Sequence, residues 1–168
     1  MKEKNVRLYN VIFPVWMIVL FPQFFLIALP ANFLIDLLVV RLTLRHLGRP
    51  DRKFIAKSCI WKVWLSGFAA DFIGGFLMFS ANLLCGSNRW WIEHVANPVM
   101  YNPFETLPAL LWVICCTLIA ALFIFLFNVK WALKKSDLSS AERKRLALSL
   151  SIFTAPYLFF LPTMWFVH

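Results

Sequence analysis

Residues 107–129 read LPALLWVICCTLIAALFIFLFNV, without one charged side chain. A helix needs about 20 predominantly apolar residues to cross a hydrocarbon core about 30 Å thick. This stretch meets that length, and it carries Pro108 where proline suits the first turn of a helix. Three more apolar regions lie around it. Leu8 to Val40 is uncharged except for Asp36, Val63 to Leu84 is uncharged except for Asp71, and Leu146 to Val167 carries no charge.

The composition agrees with that pattern. Of 168 residues, 61% are hydrophobic and 15% charged, and mean hydropathy is +0.74. Soluble domains carry about 25% charged residues. A soluble chain of this size has too little polar side chain to cover so much apolar matter. An ordinary soluble enzyme, a disordered tail and a disulfide-stapled module are excluded. The expected fold is all-α: one polytopic transmembrane helix bundle over residues 1–168, with four spans at about 10–40, 63–84, 107–129 and 146–167.

The first region is irregular. From residue 8 to 40 a straight helix would extend about 50 Å, and the stretch contains Pro14, Pro22 and Pro30, each able to kink or end a helix. Two forms stay open: one strongly kinked crossing, or a re-entrant leg turning near Pro22 and Gln23. They put the N-terminus on opposite sides. No short apolar stretch is followed by a small-residue cleavage site, so a removable leader is not expected.

The net charge of +9 is arranged in connectors. Arg41, Arg45, Arg49, Arg52, Lys53, Lys57 and Lys62 fill 41–62, and Lys130, Lys134, Lys135, Arg143, Lys144 and Arg145 fill 130–145. The connector 86–106 holds Arg89 as its sole Lys or Arg. Basic connectors remain cytoplasmic, which places 41–62 and 130–145 inside and 86–106 outside. The partners expected of those bases are anionic lipid headgroups, not nucleic acid. With no lipidation or sorting motif, the localisation expected is a multi-pass cell-membrane protein, of bacterial inner-membrane type.

Local signals mark helix ends. Gly48 and Pro50 end the first helix, Asp51 is placed to cap the next, and Ser139 with Glu142 has the spacing of a capping box. Trp90, Trp91, Trp112, Trp131 and Trp165 fall near span ends and read as interfacial anchors.

Asp36 and Asp71 are the candidate functional residues, because a carboxylate inside a membrane helix is costly and marks a function by default. The competing role is structural, with either aspartate pairing to Arg41, Arg45 or Lys62. Asn32 shares the Asp36 face at i, i+4. In the second span, Ser66, Ala70 and Gly74 form one small-residue stripe, and Gly67, Asp71 and Gly75 the next; such stripes let helices approach closely. The Asn32/Asp36 face is therefore expected to meet the Gly67/Asp71 face, with Gln23 and Asn82 extending a polar seam.

Cys59, Cys85, Cys115 and Cys116 have neither disulfide nor metal-ligand spacing. His46, His94 and His168 enter no catalytic motif. Neither a catalytic set nor a metal or cofactor is expected. The leading expectation is a non-enzymatic membrane subunit or scaffold, assembling with itself or a membrane partner through the small-residue face. The alternative is a small oligomeric proton- or cation-coupled carrier or channel using Asp71 and Asp36. A membrane enzyme built on the two aspartates ranks third.

Overall fold

A computed structural model describes residues 22–84 and 86–163, with side chains described from Leu29 onward. All regular structure among these residues is helical. We label the helices α1 (Pro22–His46), α2 (Arg52–Leu83), α3 (Arg89–Trp91), α4 (Asn97–Tyr101), α5 (Leu107–Phe127) and α6 (Ser140–Phe153). A π turn, Ile92–Ala96, joins α3 to α4, and another, Asn128–Ala132, prolongs α5.

The four longer helices close a ring. α1 packs on α2, α2 on α5, α5 on α6, and α6 back on α1. At one end the core is built from side chains including Val40, Leu44, Ile55, Val63, Ile124, Leu133, Leu146 and Leu150. A second cluster at the other end joins Ala81, Val95, Val99, Ala109 and Val113, backed by Trp91, Trp112 and Phe159. Among the described residues two helices are long and apolar enough to cross a membrane: Arg52–Leu83 and Leu107–Ala132.

The first connector follows its sequence signals. α1 ends at His46, and Gly48 takes a φ of +72°. Its N–H donates to the Arg45 carbonyl and that of Arg49 to the Leu44 carbonyl. This pair of bonds closes a helix end through a left-handed residue, where glycine is unstrained. Asp51 departs from expectation. Its side chain makes no cap bond to α2 and instead receives the Arg49 guanidinium at 3.1 and 3.0 Å. Arg49 also donates to the Asp137 carbonyl at 2.6 Å and lies 3.9 Å from Glu142. One arginine thereby ties the two basic connectors together at the same end of the bundle.

At α6 the capping box forms as the sequence indicated. Ser139 Oγ accepts from the Glu142 N–H, and the Glu142 carboxylate accepts from the Ser139 N–H. The Ser139 backbone N–H first, and its hydroxyl next, hold the Glu142 carboxyl below its ordinary value, with the Arg49 charge assisting. Pro108 sits in the first turn of α5 behind the cap residue Thr106.

The last apolar region differs from a single helix over 146–167. α6 stops at Phe153, a bend follows at Thr154–Ala155, and the chain re-forms only a 3-10 turn at Tyr157–Phe160. Pro156 is the physical reason. It lacks an N–H to continue the ladder, and its ring biases Ala155 away from helical backbone. Two tryptophans read as interfacial anchors are instead half-buried in the bundle. Trp91 and Trp112 pack edge to face with ring centroids 5.6 Å apart, and their indole N–H groups donate to the Ala81 and Leu77 carbonyls. Trp90 and Trp131 are exposed. The expectations for residues 1–21, Cys85 and 164–168, including Trp165 and His168, lie outside the described residues, as does the side chain of Gln23.

Candidate functional site: an acidic cleft between three segments

α1 contributes Asn32, Ile35 and Asp36, spaced i, i+3 and i+4. α2 contributes Trp64, Gly67, Phe68 and Asp71, spaced i, i+3, i+4 and i+7. Each set makes one helical face, and the two faces meet around a cleft of about 360 Å³. The third wall is the segment after α6, from Phe153 to Phe159. The break at Pro156 shapes that wall, because a continued helix would have run past the cleft.

Gly67 faces Asp36 across this seam, and a methyl group built on it would lie 3.8 Å from Asp36 Oδ2, an ordinary contact distance, so the approach does not depend on a glycine there. Asp36 is 6% exposed, and Thr154 lines the same cleft with its hydroxyl donated to the Leu150 carbonyl. Asp71 is half-buried, and its Oδ1 is enclosed without a hydrogen-bond partner among the described residues. The indole N–H of Trp64, on the same cleft, is likewise enclosed and unmatched. Asp36 and Asp71 line this one cleft from α1 and α2.

The cleft contains no lysine, arginine or histidine among its lining residues. None of the ion pairs formed among the described residues involves Asp36 or Asp71. Arg41 and Arg45 are exposed on α1, and Lys62 is half-buried on α2 away from the cleft. The pairing of either aspartate with these bases is therefore not what the structure shows. Long basic side chains reach toward headgroups and water rather than back along the helix.

The remaining candidate positions divide by stripe. Ser66, Ala70 and Gly74 are buried. Ser66 Oγ donates to the Val63 carbonyl, and Gly74 lies against Ala120 of α5 and Phe159. This stripe is used for packing within the chain. Gly67 and Asp71 of the second stripe line the cleft, while Gly75 has open space above it. Asn82 lies half-buried away from the cleft.

Sequence reasoning missed the third wall. Thr154, Tyr157 and Phe159 belong to a region read as an uninterrupted span. Pro156 and Pro162 were the available signals. Among the described residues no group of three or more His, Cys, Asp or Glu is placed to hold a metal ion. Cys59, Cys115 and Cys116 are free thiols. Comparison with family models, curated proteins and solved structures finds no match to this chain.

Proposed function

We propose that the chain is a multi-pass membrane protein of the cell membrane, without enzymatic activity, in which the Asp36/Asp71 cleft binds a proton or cation for transfer. Membrane embedding is supported by where the apolar surface lies. Only 22% and 28% of the most apolar stretches of the two long helices is buried within the protein. A core helix of a soluble domain would be mostly covered. Phe72, Phe76, Leu118 and Leu122 instead face outward, as lipid solvation requires.

The single observation that carries the transfer reading is that two carboxyls share one cleft with no basic side chain among the described residues that line it. Intramembrane carboxyls that face a cavity mark ion or proton paths. One copy encloses little space, so the pathway is assigned to an assembly of two or more. The test is proton and cation flux in proteoliposomes. Flux that falls at least tenfold in Asp71→Asn supports the reading, and flux unchanged in both Asp71→Asn and Asp36→Asn removes it.

A second reading, a membrane subunit or scaffold, is favoured by one observation. Phe68, Phe72 and Phe76 form an exposed ridge at i, i+4 and i+8 on α2. Since Gly74 and Ala70 are consumed inside the chain, assembly with a second copy or a membrane partner falls to this ridge. Crosslinked oligomers in native membranes that vanish in Phe72→Ala favour it. Their persistence there, or their absence from the wild type, counts against it.

A further inference from the structure

We propose that the cleft between α1, α2 and the Phe153–Phe159 segment binds a protonated aryl-alkyl amine, its ammonium group on Asp36 and Asp71 and its apolar body against the aromatic walls. This rests on the acidic-cleft reading and names the guest. Three features select an organic ammonium over a metal ion.

The first is the donor set. Hard cations take six or more oxygen ligands, from the protein or retained water. Among the described residues the carboxylates here are Asp36 and Asp71 alone, and most of the remaining wall is apolar or aromatic. An organic ammonium needs far fewer oxygens, because much of its surface is hydrocarbon.

The second is the wall itself. Trp64 and Phe68 from α2 line the cleft together with Phe153, Tyr157 and Phe159 of the third wall. Ring faces carry negative quadrupole potential and attract a cation placed over them, most strongly for tryptophan and where water is displaced. The rings also cover the guest's apolar part, as in most small-molecule pockets.

The third is size and unmet bonding. About 360 Å³ is room for roughly a dozen waters, and it falls at the small end of the 300–1,000 Å³ common for organic ligands. A small ion would fill it with hydration water, whereas an organic ammonium sets hydrocarbon against the apolar part of the wall. The enclosed Asp71 Oδ1 lacks a donor, and an ammonium N–H supplies one. Asp36 is nine-tenths buried on the same cleft with no base against it among the described residues. A single positive charge between the two carboxyls relieves the cost of burying them.

The test is equilibrium dialysis of the full chain, purified in detergent, against radiolabelled 2-phenylethylammonium at neutral pH. Saturable binding is expected at one guest per chain. Asp36→Asn and Asp71→Asn should each weaken it tenfold or more, and Asp71→Glu should restore most of it. Trp64→Leu should weaken it roughly threefold to thirtyfold. Propylbenzene, the neutral analogue of similar shape, should not displace the probe. Melting curves identify any variant that fails to fold, and the glutamate and leucine variants then carry the comparison.

Non-saturable uptake, equal binding in both asparagine variants, or displacement by propylbenzene overturns the proposal. If the probe fails while proteoliposomes still show aspartate-dependent proton or cation flux, the guest class is wrong and the acidic-site reading stands. If both fail, both readings fall together.

Discussion

Adding one methyl group at Gly74 and one at Gly75 separates packing from backbone propensity in adjacent residues of α2. A Cβ at Gly74 would lie 2.9 Å from Ala120 Cβ and 2.8 Å from Phe159 Cε2. Phe159 can rotate. Ala120 Cβ is fixed to the α5 backbone, so the methyl group must push two helices apart. Overpacking of this kind costs typically 1–3 kcal/mol. At Gly75 a Cβ meets nothing within 4 Å. Both substitutions gain the helix preference of alanine, about 1 kcal/mol in water, so that gain cancels when the two are compared. Gly74→Ala should therefore be less stable than Gly75→Ala by about 1–3 kcal/mol, which is roughly fivefold to 150-fold in the unfolding equilibrium. Reversible unfolding in mixed micelles, followed by tryptophan fluorescence, measures the difference. Equal stability, or a more stable Gly74→Ala, would refute the placement of Gly74 against α5. A loss of oligomer with unchanged unfolding would return the Ser66/Ala70/Gly74 stripe to an intermolecular role.

Other outcomes follow from single contacts. Arg49→Met removes the bonds to Asp51 and to the Asp137 carbonyl. Discounted for partial exposure, it should cost about 1 kcal/mol and raise amide exchange across 133–139, while exchange in the α2–α5 interface stays unchanged. Trp91→Phe keeps the edge-to-face contact with Trp112 but loses the bond to the Ala81 carbonyl; a loss of about 1 kcal/mol is expected by the same unfolding assay. The Glu142 carboxyl is held below its ordinary value of 4.5 by the Ser139 bonds. Because the folded value is the depressed one, its contribution is complete above 4.5 and disappears as pH falls through the folded value. Amide protection at the start of α6 should fall over that acid range in the wild type and stay flat in Glu142→Gln. A wild type that is equally flat would show that the capping box does not hold the carboxylate.

Much of this arrangement is visible in residue spacing alone. The Gly48 ending, the Ser139/Glu142 box and the Pro108 start are local signals whose bonds close within a few residues, so no tertiary knowledge is needed to read them. The meeting of the Asn32/Asp36 and Gly67/Asp71 faces was also legible, because two polar stripes on otherwise apolar helices have few other places to go. Three features were not. Asp51 sits where a cap belongs, yet Arg49, drawn in by the second connector, holds its carboxylate; the competition depends on a contact distant in sequence. Trp91 and Trp112 stand at span ends, where lipid and protein both accept indole, and only the carbonyls near the end of α2 decide between them. The third wall was hidden because hydropathy does not register a break: 146–167 is apolar throughout, and Pro156 changes its backbone without changing its composition. That no base among the described residues lines the cleft was likewise beyond spacing, since Lys62 and Arg41 are close to the aspartates in sequence yet stay outside it.

Site-resolved carbodiimide modification tests the central claim most directly, that Asp36 and Asp71 share an apolar-walled cleft that takes a positive charge. Native membranes are treated with a lipid-soluble or a water-soluble carbodiimide, and modified carboxyls are mapped by mass spectrometry. The expected result is modification of Asp36 or Asp71 by the lipid-soluble reagent alone, suppressed by 2-phenylethylammonium and not by propylbenzene, while the exposed Asp137 reacts only with the water-soluble one. Equal reaction of the cleft aspartates with both reagents, or labelling indifferent to every cation tried, would contradict the account.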